Sequence, residues 1–76
     1  MNYTYIKFTN ITLAQLASSI LAKEGFASRL RRNPNPNHVQ GCNYALYVSG
    51  DVFEAHAIIA KNNVQNLGVE SYRDSL

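Results

Sequence analysis

The chain has 76 residues, of which 46% are hydrophobic and 16% charged, and its formal net charge is +2. This length allows one small domain, residues 1–76. A single cysteine excludes an internal disulfide, and one cysteine with two histidines provides fewer than the four ligands of a structural zinc site. We therefore expect neither a metal nor a cofactor. The chain opens without a secretory signal and has no apolar run near the ~20 residues that span a bilayer, which predicts a cytoplasmic protein without membrane contact.

The first part of the chain predicts a strand followed by a helix. Residues 2–9 alternate and are rich in β-forming side chains, which is typical of a strand. Thr12 is predicted to cap the helix, with Gln15 as its capping-box partner, and Gly25 to end it. The apolar side chains with the spacing of one core-facing helix surface are Leu13, Leu16, Ala17, Ile20 and Leu21.

A basic strand and an irregular loop follow. The second strand is predicted from Phe26 to Arg32, with Leu30 facing inward and Arg29 and Arg31 facing outward. Residues 33–37 read Asn-Pro-Asn-Pro-Asn, and such a segment cannot continue a strand. We therefore expect a loop that begins directly after the arginines.

The rest of the chain predicts a strand, a helix and a strand. Residues 44–48 form the third strand, and Asp51 with Glu54 opens a second helix that runs to about residue 62. Its inner face is predicted to consist of Val52, Ala55, Ile58 and Ile59, and residues 68–73 supply the last strand. The order strand, helix, strand, strand, helix, strand predicts a ferredoxin-like α+β fold, in which both helices cover one face of a four-stranded antiparallel sheet.

The face of the sheet opposite the helices is predicted to be rich in tyrosine. The interface residues expected there are Tyr3, Tyr5, Tyr47 and Tyr72, together with Lys7, Arg29, Arg31, Ala45 and Glu70. Such a patch is typical of an interaction surface, and we expect a homodimer that uses it. RNA-recognition modules of this topology stack bases on comparable strands. Their glycine-rich aromatic octapeptide is missing from residues 44–49 and the net charge is low, so nucleic acid is the less favoured partner.

Cys42 is the one candidate for covalent chemistry. It lies in a polar stretch before the third strand, and Arg29, Arg31 and Arg32 precede the intervening loop. Antiparallel pairing would bring these positive charges alongside the thiol and favour the thiolate. His38 could assist proton transfer, and the neighbours Gly41 and Asn43 shape the turn. A thiolate of this kind could carry sulfur or selenium as a persulfide, sense oxidants or attack an electrophile; the alternative is an inert thiol.

These residues resemble the small selenium/sulfur carrier-like family (DUF3343). Members combine a short first strand, a helix like that over residues 13–21, a Gly-Phe-Ala turn as at 25–27, a basic strand, and a cysteine that leads into an apolar strand. The family places glycine after this cysteine, whereas here Gly41 precedes Cys42 and Asn43 follows it. The resemblance implies an accessory carrier without turnover of its own, which accepts sulfur or selenium at Cys42 from a donor enzyme and passes it to an acceptor protein.

A second functional interpretation is left open by the sequence. The chain could be a non-catalytic regulatory or protein-interaction module in which the tyrosine-rich face does the binding. Cys42 would then be incidental.

Overall fold

A computed structural model describes residues 2–37 and 41–73. The elements are β1 (Asn2–Phe8), α1 (Ile11–Lys23), β2 (Ser28–Arg32), β3 (Tyr44–Val48), α2 (Val52–Lys61) and β4 (Val69–Arg73). The predicted order of strands and helices is therefore confirmed, with β2 beginning two residues later than expected. Within the described ranges, neither helix combines the length and apolar character that crossing a membrane requires.

The four strands form one antiparallel sheet in the order β2-β3-β1-β4, as the ferredoxin-like topology requires. β1 pairs with β3 and β4, with Ile6 opposite Leu46 and Thr4 opposite Ser71. β2 pairs only with β3, with Leu30 opposite Leu46. The central strands are therefore β1 and β3, and the arginine-bearing strand β2 lies at one edge.

The hydrophobic core lies between the sheet and the two helices. Its buried members are Ile6, Phe8, Ala14, Ala17, Leu21, Leu46, Ala55, Ile59 and Val64. The predicted inner face of α2 is confirmed, because Val52 and Ile58 pack against this cluster. Leu16 was predicted to face the core but is half exposed, since its helical position lies at the border of the apolar stripe and Ala14 occupies the buried position instead.

The helix starts show one wrong prediction and one confirmed prediction. Asn10, not Thr12, caps α1: its backbone is extended and its side-chain oxygen accepts a hydrogen bond from the Leu13 amide at 2.9 Å. Thr12 already lies inside the helix. Asp51 caps α2 as predicted, accepting from the amides of Phe53 and Glu54 at 2.9 and 3.2 Å.

Candidate functional site

Nine side chains share the sheet face that the helices leave uncovered, which we call the open face. Directly opposed residues of an antiparallel pair point to the same side of a sheet. Tyr3 is opposite Tyr72, Tyr5 opposite Glu70, Lys7 opposite Ala45, Ala45 opposite Arg31, and Tyr47 opposite Arg29. The composition of the open face predicted from the alternation of side chains is therefore confirmed.

The tyrosines of the open face are in contact with one another. Tyr3 lies at the centre, with its ring centroid 6.1 Å from that of Tyr72 in a stacked arrangement and 6.1 Å from that of Tyr47 in an edge-on arrangement. Tyr47 also meets Tyr5 at 5.6 Å. The aromatic surface thus runs from β3 across β1 to β4, and Tyr3, Tyr47 and Tyr72 are half-buried.

Tyr5, which we predicted as an interface contact, is fully buried although it lies on the open face. Its hydroxyl lies 2.5 Å from Glu70 Oε2 and 2.9 Å from Asn33 Oδ1. Both of these oxygens accept, so the single hydroxyl proton is shared between them. The residues that begin the Asn/Pro loop therefore cover Tyr5, and the exposed part of the aromatic surface is smaller than the sequence predicts.

Asn33 is the buried residue that anchors this loop. Its Oδ1 also accepts from the amide of Asn35 at 3.0 Å, while its Nδ2 donates to the carbonyl of Cys42 at 2.8 Å. These two bonds fix the orientation of the amide group, because a flipped side chain would oppose donor to donor and acceptor to acceptor. The backbone amide of Asn33 donates to the carbonyl of Asn43 at 2.9 Å, so the loop is closed at its base.

The importance of Asn33 was not predicted from the sequence. The signal that was available is the spacing of asparagines by two residues, which favours turns closed by a side-chain oxygen. Two such turns are formed, Asn35 N to Asn33 Oδ1 and Asn37 N to Asn35 Oδ1 at 2.9 Å. The partners on distant strands, Tyr5 and Glu70, carry no comparable local signal.

Three ionisable groups of the open face have shifted pKa values. The hydrogen bond from Tyr5 lowers the pKa of Glu70, and Asn35 and Lys7 act in the same direction against the effect of burial. Burial, followed by the contact with Glu70, raises the pKa of Tyr5 well above its ordinary value. Burial and Tyr3 raise the pKa of Tyr47, whereas Arg31 lowers it. The pair Tyr5–Glu70 is therefore held as a neutral phenol and a carboxylate.

This pair predicts how stability depends on pH. Because the pKa of Glu70 is depressed by folding, its contribution is present above the unfolded value of about 4.3 and is lost as the pH falls through the folded pKa. Because the pKa of Tyr5 is raised, its contribution is present below about 10 and is lost at higher pH. Urea unfolding of Glu70→Gln followed by circular dichroism should show lower stability at neutral pH and a weaker acid dependence than the unsubstituted protein.

The matched control for this experiment is Glu24→Gln, which removes a carboxylate from the exposed end of α1. It should keep the full acid dependence. An unchanged acid dependence in Glu70→Gln would show that the contacts of Glu70 are not coupled to folding.

An arginine–tyrosine concavity of about 450 Å³ lies beside the loop, lined by Tyr3, Arg29, Arg31, Arg32, Pro34 and Tyr47. Pro34 belongs to the loop and forms part of its wall. Within residues 2–37 and 41–73, the one ion pair joins Lys7 Nζ to Glu70 Oε1 at 3.4 Å. Arg31 donates to the carbonyl of Leu30 at 3.0 Å, a contact that leaves its charge uncompensated. The three arginines therefore line one side of the hollow, and none of them is paired with a carboxylate among the residues that the structure describes.

A second hollow of about 250 Å³ lies farther along the same edge of the sheet. Arg29 and Tyr47 line both hollows, and Ser28 and Val48 line only the second. Arg29 and Tyr47 therefore lie where the two hollows meet along β2 and β3.

The thiol of Cys42 is half-buried at the base of the loop, two residues before β3 begins. The pairing of β2 with β3 places Arg32 opposite Tyr44, but no hydrogen bond joins the thiol to any of the three arginines among the described residues. Gly41 has a φ of +97°, a left-handed conformation that favours glycine, so the turn before Cys42 is made at this residue. His38 lies outside the described residues. Arg29 and Arg31 thus share the open face with the tyrosines, and support of a Cys42 thiolate by the arginines stays a prediction.

Comparison of the chain with protein-family models, with curated proteins and with solved structures gave no significant match.

Proposed function

We propose that this protein is a non-catalytic binding module that recognises an anionic partner on its open face. The observation that carries the proposal is the arginine–tyrosine concavity, which Arg29 and Arg31 of the open face line together with Arg32 at the end of β2, and no ion pair joins these arginines to a carboxylate within residues 2–37 and 41–73. Guanidinium groups bind carboxylates and phosphates through paired hydrogen bonds. The concavity therefore has unused capacity for an anion.

The balance of charge on the open face supports the same proposal. Glu70 is the one carboxylate among its nine residues, and its oxygens are already engaged by Lys7, Tyr5 and Asn35. Among the described residues of this surface, Arg29 and Arg31 consequently have no counter-charge. Tyrosine and arginine are the side chains most enriched at interaction surfaces, because they combine a large apolar body with directed hydrogen bonds.

The residue types in the concavity favour binding over catalysis. The described residues of its lining are arginine, tyrosine and proline, and among them no nucleophile is paired with a general base. In the part of the chain that the structure describes, no group of three or more His, Cys, Asp and Glu side chains is placed to hold a metal ion. An anion bound here would be held and oriented.

Pyrophosphate is a suitable probe for this proposal, because it is anionic and has no ring that could stack on the tyrosines. We expect its addition to shift the backbone amide resonances of residues 28–32 and 44–48 in a saturable manner, with weaker binding at higher salt. Resonances of α1 and α2 should not move. The absence of a saturable shift in β2 and β3 at millimolar pyrophosphate would contradict the proposal.

The homodimer predicted from the sequence remains a proposal with a less favourable charge balance. Two copies joined face to face would bring Arg29 and Arg31 of both open faces into one interface, where like charges repel. Sedimentation velocity over a range of protein and salt concentrations distinguishes self-association from a monomer whose open face is free for an anionic partner. A dimer that persists at low salt would favour self-association over an anionic partner.

A thiol carrier is the second candidate, and the position of Cys42 favours it. The cysteine is not fully buried, and the bond from Asn33 Nδ2 to its carbonyl fixes the backbone at this position. Cys42 as thiolate would attack the outer sulfur of a donor persulfide, form Cys42–S–SH and release the donor as a thiolate. An acceptor nucleophile would then take the outer sulfur and regenerate the thiolate. This function also requires a reducing location such as the cytoplasm.

Two measurements test the carrier. The alkylation rate of Cys42 should have a pH midpoint clearly below the value of about 8.5 typical of a free cysteine. Incubation with a cysteine desulfurase and its substrate should add about 32 Da, the mass of one sulfur atom, and Cys42→Ser should abolish the addition. A midpoint at or above that of free cysteine, together with no added mass, would rule out the carrier.

A further inference from the structure

The exposed aromatic surface of the open face extends beyond the concavity. Tyr3 and Tyr47 line the hollow, while Tyr72 on β4 stacks on the far side of Tyr3 at 6.1 Å. Adjacent strands lie about 4.8 Å apart, so rings on β3, β1 and β4 span roughly 10 Å across the sheet. This distance exceeds the width of one stacked ring. The surface is therefore suited to a ligand that presents more than one flat group.

The cationic groups lie along one side of this aromatic surface. Arg29 is directly opposite Tyr47, and Arg31 lies two residues farther along β2. Arg32 follows at the end of the strand and also lines the concavity. A ligand that covers the tyrosines would thus have its charged groups next to the guanidinium groups of Arg29 and Arg31 at the β2 edge.

We infer that the anionic partner of the open face is a single-stranded nucleic acid. This inference rests on the proposed function, and it names the class of partner. Unpaired bases stack on aromatic side chains, while phosphates are held by nearby arginines. A duplex keeps its bases stacked on one another, and an acidic peptide would engage the arginines and leave the tyrosines without a partner. A single mononucleotide would leave Tyr72 uncovered.

Two features of the sequence made nucleic acid the less favoured partner: the missing glycine-rich octapeptide and the low net charge of the whole chain. The glycine-rich octapeptide supplies aromatic groups on the third strand of RNA-recognition modules. Here Tyr47 supplies one on β3, and Tyr3 supplies one on β1, without that motif. The net charge of +2 is low because carboxylates lie elsewhere in the chain, whereas the nine residues of the open face include three cationic side chains, Lys7, Arg29 and Arg31, and one carboxylate, Glu70. The local charge therefore differs from the average.

The test is the fluorescence anisotropy of a labelled oligouridine of about twelve nucleotides, a length within the site sizes of single-strand binders. We expect saturable binding, with log Kd depending on log salt with a slope of about 1.4, since two phosphates neutralised by Arg29 and Arg31 contribute about 0.7 each for single strands. A twelve-base-pair RNA duplex and poly-glutamate should bind at least about tenfold more weakly.

Stacking is tested separately from charge. Tyr3→Leu and Tyr47→Leu keep apolar bulk on the sheet and retain every arginine, and each should weaken oligouridine binding by about 5- to 150-fold. Tyr72→Leu removes the ring that lies outside the concavity, and it should weaken oligouridine binding while pyrophosphate binding stays unchanged. Because the chain has no tryptophan, quenching of tyrosine emission in the unsubstituted protein reports stacking directly, even if a variant proves unstable.

The outcomes separate this inference from the proposed function. Pyrophosphate binding to β2 and β3 without oligouridine binding would overturn the nucleic-acid inference and leave an anion-binding module. Oligouridine binding that is unchanged in all three leucine variants, without quenching of tyrosine emission, would overturn it as well. Loss of binding to both probes would remove both proposals. Equal affinity for a mononucleotide and the oligouridine would replace the inference by a single-nucleotide site.

Discussion

Replacing Asn33 with alanine should lower the free energy of unfolding by about 2–4 kcal/mol, because several hydrogen-bonding groups lose their partner at a buried position. The carbonyl of Cys42 loses its donor, the amide of Asn35 loses its acceptor, and the hydroxyl of Tyr5 keeps only Glu70. A loss of this size is a large part of the total stability, which for 76 residues is about 4–11 kcal/mol.

Asn37→Ala is the matched control for Asn33→Ala. Asn37 belongs to the same loop, but it is exposed and engages Asn35 through its backbone amide. Its replacement should change stability by less than about 0.5 kcal/mol in the same urea titration. If Asn33→Ala were as stable as this control, the loop would not be anchored by the Asn33 side chain.

The same pair of variants reports on the loop itself. Release of the loop base in Asn33→Ala should increase the alkylation rate of the half-buried Cys42 thiol, while Asn37→Ala should leave that rate unchanged. The carbonyl of Cys42 is held only from the Asn33 side chain among the described hydrogen bonds. An unchanged rate in both variants would show that this bond does not limit access to the thiol.

Reversal of two charges on β2, Arg29→Glu with Arg31→Glu, should weaken oligouridine binding by at least about 100-fold. Each arginine contact to a phosphate is a charge-assisted bond of about 1.5–3 kcal/mol, and every 1.4 kcal/mol corresponds to a factor of ten. The introduced carboxylates add repulsion at the same place. Pyrophosphate binding should be lost as well, since it depends on the same charges.

Lys23→Glu with Lys61→Glu provides the control for net charge. Both lysines are exposed in the last turns of the helices, on the other side of the sheet from the concavity. Each double variant changes the formal net charge from +2 to −2, because each of its two substitutions lowers the charge by two units. Equal loss of binding in the two double variants would mean that overall charge, not the concavity, determines affinity.

The alternation of side chains in the strands was sufficient to predict the open face. Tyr3, Lys7 and Tyr47 were assigned to it from a period of two, and the register confirms every assignment because one face of a sheet must cover the core. Helix positions were predicted from the helical spacing of apolar side chains and from capping residues. Thr12 was the wrong cap because Asn10 is equally suited by type, and only the extended backbone at Asn10 distinguishes the two.

The loop could not be predicted, because its conformation depends on bonds between distant residues. Asn33 and Tyr5 are separated by 28 positions, and Tyr5 and Glu70 by 65. No periodic pattern reports such pairs. The expectation that Arg29, Arg31 and Arg32 serve Cys42 stays a prediction, whereas the register places Arg29 and Arg31 on the face of Tyr3 and Tyr47. The candidate site therefore moved from the thiol to the open face.

The most direct test of the open face as the binding surface is an amide chemical-shift map of the protein with bound oligouridine. We predict saturable shifts in β1, β2 and β3 at the positions around Tyr3, Arg29 and Tyr47, and unchanged resonances along the outer sides of α1 and α2. Shifts confined to the helices, or no shifts at saturating oligouridine, would contradict the account.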